Sequence, residues 1–114
     1  MSNATAAQGP AMALAPSKAN FAALTPLDFI GRSADLYPGR PAIVHGPQVI
    51  DYTQFHARCR RLASALLQAG VGPGEVVSVM LPNVPPMLDA HFGVPMAGAV
   101  LNTINTRLDA DTIA

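Results

Sequence analysis

Charge is scarce in this sequence. Asp, Glu, Lys and Arg supply 12% of its 114 residues, about half the roughly 25% usual in soluble globular chains. Lysine is almost missing, with Lys18 alone beside six arginines. Little charge together with 50% hydrophobic residues excludes an intrinsically disordered chain, which needs low hydrophobicity and high net charge. Seven basic residues balance seven acidic ones, so net charge supports no affinity for nucleic acid or for an anionic membrane surface. The single cysteine, Cys59, closes no internal disulfide and excludes a cystine-stapled secreted fold. No apolar run approaches the ~20 residues that span a bilayer. Tryptophan is absent and aromatics number six, so the core must come from Ala, Val, Leu and Met. Small side chains bury little area each, at ~25 cal/mol per Å2 of apolar surface. These absences leave a neutral soluble domain, expected in the cytoplasm.

Eleven prolines and nine glycines punctuate what is there. Residues 1–20 lack helical or strand periodicity and read as a flexible native N-terminus, a better reading than the expression-vector remnant that Ser2-Asn3-Ala4 resembles. Residues 21–114 read as the folded part. Thr25-Pro26 starts a short amphipathic helix through Leu27, Phe29, Ile30, Ala34 and Leu36, stopped by Pro38-Gly39. Ala42–His45 and Val49–Tyr52 read as a hairpin around Gly46-Pro47-Gln48. From Thr53 a helix carries Phe55, Cys59, Leu62 and Leu66 on one stripe, with Gln54, Arg58, Arg61 and Gln68 opposite. Gly70 stops it.

Val76–Leu81 is valine-rich and nearly continuous in apolar character, which predicts a strand buried on both faces. A helix follows from Pro86 to about Ala97, kinked or interrupted at Gly93-Val94-Pro95, and then a second strand over Ala99–Ile104. Strand, helix and strand in that order imply a parallel, right-handed crossover. Asp109 is a helix cap with Asp111 in the first turn, and the sequence stops at Ala114, one turn further on. The fold class expected is α/β: a partial parallel or mixed sheet with flanking helices, incomplete as a domain.

Chemistry-bearing patterns are few. Gly70-Val71-Gly72-Pro73-Gly74 suggests a nucleotide loop, but the sixth position is Glu75 and the loop runs from helix to strand. A structural turn fits better, since no helix N-terminus would face a phosphate. His56 and Cys59 lie three apart on a helix, yet His45 and His91 have no ligand spacing to complete the four a structural zinc needs. Cys59 reads as a small buried residue. Arg58, Arg60 and Arg61 offer an anion patch or, more simply, a solvated helix face. His91, among Leu88, Phe92 and Met96, reads as a hydrogen-bonded core residue. Asn83 lies past the carboxyl end of a parallel strand, a common ligand position; capping the following helix explains it equally well.

The motifs in order carry a resemblance. Ile50-Asp51-Tyr52-Thr53-Gln54-Phe55, Leu66-Leu67-Gln68-Ala69-Gly70-Val71, Gly74-Glu75-Val76-Val77-Ser78-Val79-Met80-Leu81-Pro82-Asn83 and the run from Phe92 to Leu108 are similar to the start of adenylate-forming acyl-CoA synthetases. The last run resembles the fatty-acid–CoA ligase branch with medium-chain members. The resemblance covers about Thr25 to Ala114. It implies the N-terminal piece of that superfamily's large, AMP-binding domain. It also implies an enzyme that joins a fatty or other carboxylic acid to ATP, releases pyrophosphate and passes the acyl group to coenzyme A. ATP, Mg2+ and coenzyme A would serve the intact enzyme and none of them this segment alone, because the family's phosphate loop and C-terminal lysine have no counterpart here. No catalytic, cofactor-binding or metal-binding residue is therefore assigned. The alternative is a non-catalytic α/β association module, or a truncated product without activity of its own. Unpaired strand edges at Val76–Leu81 and Ala99–Ile104 would allow a homo-oligomer.

Overall fold

A computed structural model describes residues 22–114. The expected tail, with Ser2-Asn3-Ala4 and Lys18, lies outside the described residues. The first helix, α1, spans Pro26–Leu36. Pro26 opens it, where a missing N–H costs nothing. The Asp28 carboxylate reaches back to accept the Thr25 N–H at 2.6 Å and its hydroxyl at 3.1 Å. Only Ile30 of α1 is buried.

Strands β1 (Pro41–His45) and β2 (Gln48–Asp51) form the antiparallel hairpin, with Ile43 opposite Ile50 and Val44 opposite Val49. Gly46 supplies the positive φ of +57° that the tight turn needs. The second strand ends one residue earlier than expected. Asp51 caps α2 (Tyr52–Gln68): its Oδ1 accepts the Gln54 N–H at 2.7 Å, and Gln54 Oε1 accepts the Asp51 N–H at 3.1 Å. That reciprocal box starts the helix at Tyr52 rather than Thr53. Phe55, Cys59 and Ala63 are buried along α2, and Phe55 meets Phe92 edge-on with ring centroids 5.4 Å apart. Gly70, at φ +89°, turns the chain away.

Strands β3 (Val76–Val79) and β4 (Val100–Thr103) pair in parallel, joined by α3 (Pro85–Met96). Of the kink or interruption expected at Gly93–Pro95, the interruption does not occur, and α3 continues to Met96. Pro95 sits in the last turn of α3, so its absent N–H costs only one hydrogen bond, and Ala97 still donates to the Gly93 carbonyl at 3.2 Å. A final short helix, α4 (Ala110–Ile113), begins under Asp109, whose Oδ1 accepts the Thr112 N–H at 2.8 Å and its hydroxyl at 2.6 Å. Those two bonds hold the Asp109 carboxyl below its ordinary pKa.

The sheet is therefore two separate two-stranded pieces, one antiparallel and one parallel. One core cluster joins Ile30, Ile43, Ile50, Phe55 and Cys59; the other gathers Ala90, Val94 and Ala99 with Leu62, Leu66 and Val77 against them. The seam of α2 against α3 links the two. Burial of β3 on both faces is not observed: Val76 is 63% exposed while Val77 and Val79 pack inward. The continuous valine run satisfies either arrangement, so its composition did not distinguish them.

Candidate functional site

The parallel pair and its crossover helix place two concavities near Asn83. Past the carboxyl ends of β3 and β4, a crevice of about 420 Å3 is lined by Asn83, Thr103, Asn105, Thr106 and Arg107, among others. Asn105 shapes its rim, accepting the Arg107 N–H on Oδ1 at 3.0 Å and the Leu108 N–H on its carbonyl at 3.2 Å. This is where open α/β sheets commonly bind ligands. The lining offers amide donors and a guanidinium, which suit an anionic or carbonyl oxygen. It includes no carboxylate, imidazole or thiol, so it can orient a ligand but holds no general base or nucleophile.

Between the hairpin and α3 lies the second concavity, about 280 Å3, lined by His45, Asn83 and His91 with Val44, Met87 and Leu88. The structure thus brings together three residues that sequence reasoning treated separately. It also corrects two of their roles. His91 is exposed, not a core residue, and its Nδ1 lies 2.7 Å from the Met87 carbonyl one turn back, so Nδ1–H donates there and Nε2 remains open. Asn83 does not cap α3; the cap position is Val84, without a side-chain bond.

The arginine cluster divides. Arg60 and Arg61 are exposed, as a solvated face requires. Arg58 instead crosses the seam to Asp89 on α3: Nε lies 3.1 and 3.0 Å from the two carboxylate oxygens, and Nη2 2.6 Å from Oδ2. Asp89 is 7% exposed and is the one buried charged residue described. Its hydrogen bonds raise the Arg58 pKa further, against the opposing effect of burial. Asp89 escaped sequence reasoning, although a lone acid inside an otherwise apolar helix signals a partner. Glu75 escaped it too: its carboxylate accepts the Gly72 N–H and closes the glycine turn.

Cys59, beside Arg58, has no exposed surface. Burial pushes its thiol up to about 12, with the nearby Asp89 carboxylate adding to the effect. Two consequences are expected. Native chain at pH 8 should resist iodoacetamide at Cys59, with full alkylation only after denaturation. Above pH 9 the unfolded thiol ionises while the folded one stays protonated until about 12, so rising pH across that window should favour unfolding. Rapid alkylation of the folded chain would refute the burial.

The glycine turn offers no phosphate cradle, and the described residues form no metal cluster. The Gly72 N–H is taken by the Glu75 carboxylate and the Gly74 N–H by the Gly98 carbonyl at 2.8 Å, so neither is free to bind an anion. Among the described residues no group of three or more His, Cys, Asp and Glu could hold a metal ion, so His56 and Cys59 gain no further ligand. No described helix is long and apolar enough to cross a membrane.

A parallel strand–helix–strand unit with a polar crevice at the carboxyl ends of its strands places the segment in the α/β class. Its pattern assigns the kinship: the chain belongs to the AMP-binding enzyme family, which matches residues 30–114. It is 52% identical over 96 residues to the peroxisomal acetate/butyrate–CoA ligase of Arabidopsis thaliana, covering 84% of this chain and 17% of that one. To the peroxisomal benzoate–CoA ligase of the same plant it is 48% identical over 101 residues, covering 89% and 17%. A Rhodopseudomonas palustris structure assigned as a long-chain-fatty-acid CoA ligase superposes with a TM-score of 0.74 at 36% identity, over 79% of this chain and 23% of that one. The chain spans less than a fifth of the length of these curated relatives. The cytoplasmic placement expected from composition is overturned, because both of these relatives are named as peroxisomal. Neutral composition says nothing of compartment, since organelle addresses are short signals read by receptors.

Proposed function

We propose that the chain is the N-terminal segment of an ATP-dependent acid–CoA ligase acting on a carboxylic acid. In that reaction a carboxylate oxygen displaces pyrophosphate from ATP to give the acyl adenylate, and the coenzyme A thiol then displaces AMP. The observation that carries the reading is the match to acid–CoA ligases over nearly all of the described residues, at 52% identity to the acetate/butyrate enzyme. ATP, Mg2+ and coenzyme A would be held by residues outside this segment, since the turn at Gly70–Gly74 is closed by its own hydrogen bonds. The segment's part is structural: the α2–α3 seam fixes the parallel pair, and the pair carries the crevice at Asn83, Asn105 and Arg107.

Two chimeras test this. In each, the chain replaces the matching segment of one Arabidopsis relative, the acetate/butyrate or the benzoate ligase. Acid-dependent ATP–pyrophosphate exchange is expected with butyrate in the first and with benzoate in the second, because acid choice would follow the remainder. A soluble, folded chimera without acid-dependent exchange would refute the ligase reading.

A further inference from the structure

Three polar side chains, His45, Asn83 and His91, line the concavity between the hairpin and α3. The rest of its lining is apolar and includes Ile43 and Pro85, which are buried, and Val84 and Met87, which are half-buried. His91 donates Nδ1–H to the Met87 carbonyl at 2.7 Å, so the neutral ring carries its lone pair on Nε2 and accepts a hydrogen bond there. The same bond fixes the tautomer. Asn83 is not spent on α3, whose cap position is Val84 without a side-chain bond. Its amide can both donate and accept.

Among the described residues, this lining includes no Asp, Glu, Lys or Arg. A charged headgroup would give up water here without gaining a counter-charge. A neutral O–H gains a partner at Nε2, and an apolar body gains the floor. At about 280 Å3 the space lies just under the ~300 Å3 at which drug-sized sites begin, which suits a single ring. The neighbouring hollow at Phe29, Phe55 and Phe92 is larger, about 360 Å3, but largely apolar, so nothing in it selects one occupant over another.

We infer that the concavity at His45, Asn83 and His91 binds a neutral, single-ring hydroxyl compound of the phenol class. Its O–H donates to His91 Nε2 while its ring lies on Ile43, Pro85 and Met87. The site lies within residues 43–91 and takes a ligand with neither carboxylate nor phosphate, so its chemistry is separate from the ligase reaction and does not depend on it.

The test is a titration at pH 8 followed at the His91 Nε2 resonance by 15N–1H correlation, in the 114-residue chain and in the acetate/butyrate chimera. 4-Methylphenol should move that resonance saturably and bind about fivefold more tightly than 4-methylanisole, which has the same ring and no O–H. 4-Methylbenzoate, a charged ring of like size, should leave the resonance in place. His91→Phe keeps an aromatic ring and removes the acceptor. In that variant the calorimetric affinities for the phenol and the anisole should fall within a factor of about two of each other. His91 is exposed, so circular dichroism of the variant should match the parent. An Nε2 resonance unmoved by millimolar 4-methylphenol in both contexts would overturn the proposal, as would equal affinities for the phenol and the anisole in the parent. A fivefold preference that survives in His91→Phe would overturn it too, because the partner of the hydroxyl would then lie elsewhere.

Discussion

Gly93→Ala is expected to destabilise the fold, against the usual gain from replacing a helical glycine. A Cβ at Gly93 would stand 2.8 Å from Leu62 Cδ2 and 2.9 Å from both Leu62 Cβ and the Cys59 carbonyl oxygen. One of those atoms is backbone of α2 and cannot swing aside. Overpacking of this kind costs ~1–3 kcal/mol, and contact with backbone places it at the upper end. Better helix propensity returns ~1 kcal/mol, leaving a net loss of about 2 kcal/mol and a Tm lowered by roughly 10 °C for a domain of this size. Gly93→Val adds two methyls to the same contact and should leave no cooperative transition. Gly31→Ala, in α1 with nothing within 4 Å of its added Cβ, should instead stabilise by ~0.5–1 kcal/mol. Thermal melts of the three variants decide the matter, and a Gly93→Ala melt at or above the parent's would show that α2 and α3 are not in close contact.

Arg58→Met should be the next most damaging change. It leaves the Asp89 carboxylate, 7% exposed, without the three donor contacts that Nε and Nη2 provide. Removing one partner of a buried pair costs ~3–5 kcal/mol, and the partly exposed Arg58 side chain, at 31%, lets water repay some of that. A loss of about 2 kcal/mol is the expected result. Arg58→Met with Asp89→Leu should recover at least half of it, because the double variant buries no orphan charge. Urea titration of the single and double variants measures the coupling. Additive losses would mean that the pair contributes nothing beyond its separate side chains.

Local signals in the sequence placed most elements, and the departures have identifiable causes. Thr25-Pro26, Gly46, Gly70 and Asp109 each set a boundary by their own backbone chemistry, and each sits where that chemistry put it. The start of α2 was written in Asp51 and Gln54, three apart, but Tyr52 favours strands and drew the hairpin one residue too far. Facing in α3 was not readable. The helix is apolar nearly all round, so no stripe told His91 from Ala90, and His91 proved exposed while Ala90 is buried. The Arg58–Asp89 pair joins residues 31 apart in sequence, a distance no helical periodicity spans. The meeting of His45, Asn83 and His91 likewise depends on how the hairpin packs against α3. Burial of β3 depends on what packs against it and not on its composition, which is why a run that looks two-sided carries Val76 in solvent.

In the proposed ligase this segment supplies scaffold while the nucleotide is bound elsewhere. Calorimetric titration of ATP with Mg2+, at millimolar nucleotide, into the isolated chain and into the acetate/butyrate chimera tests that most directly. The predicted result is heat of dilution alone for the chain and a saturable signal for the chimera. A saturable, one-to-one signal from the chain itself would contradict the account and place a nucleotide site among these 114 residues.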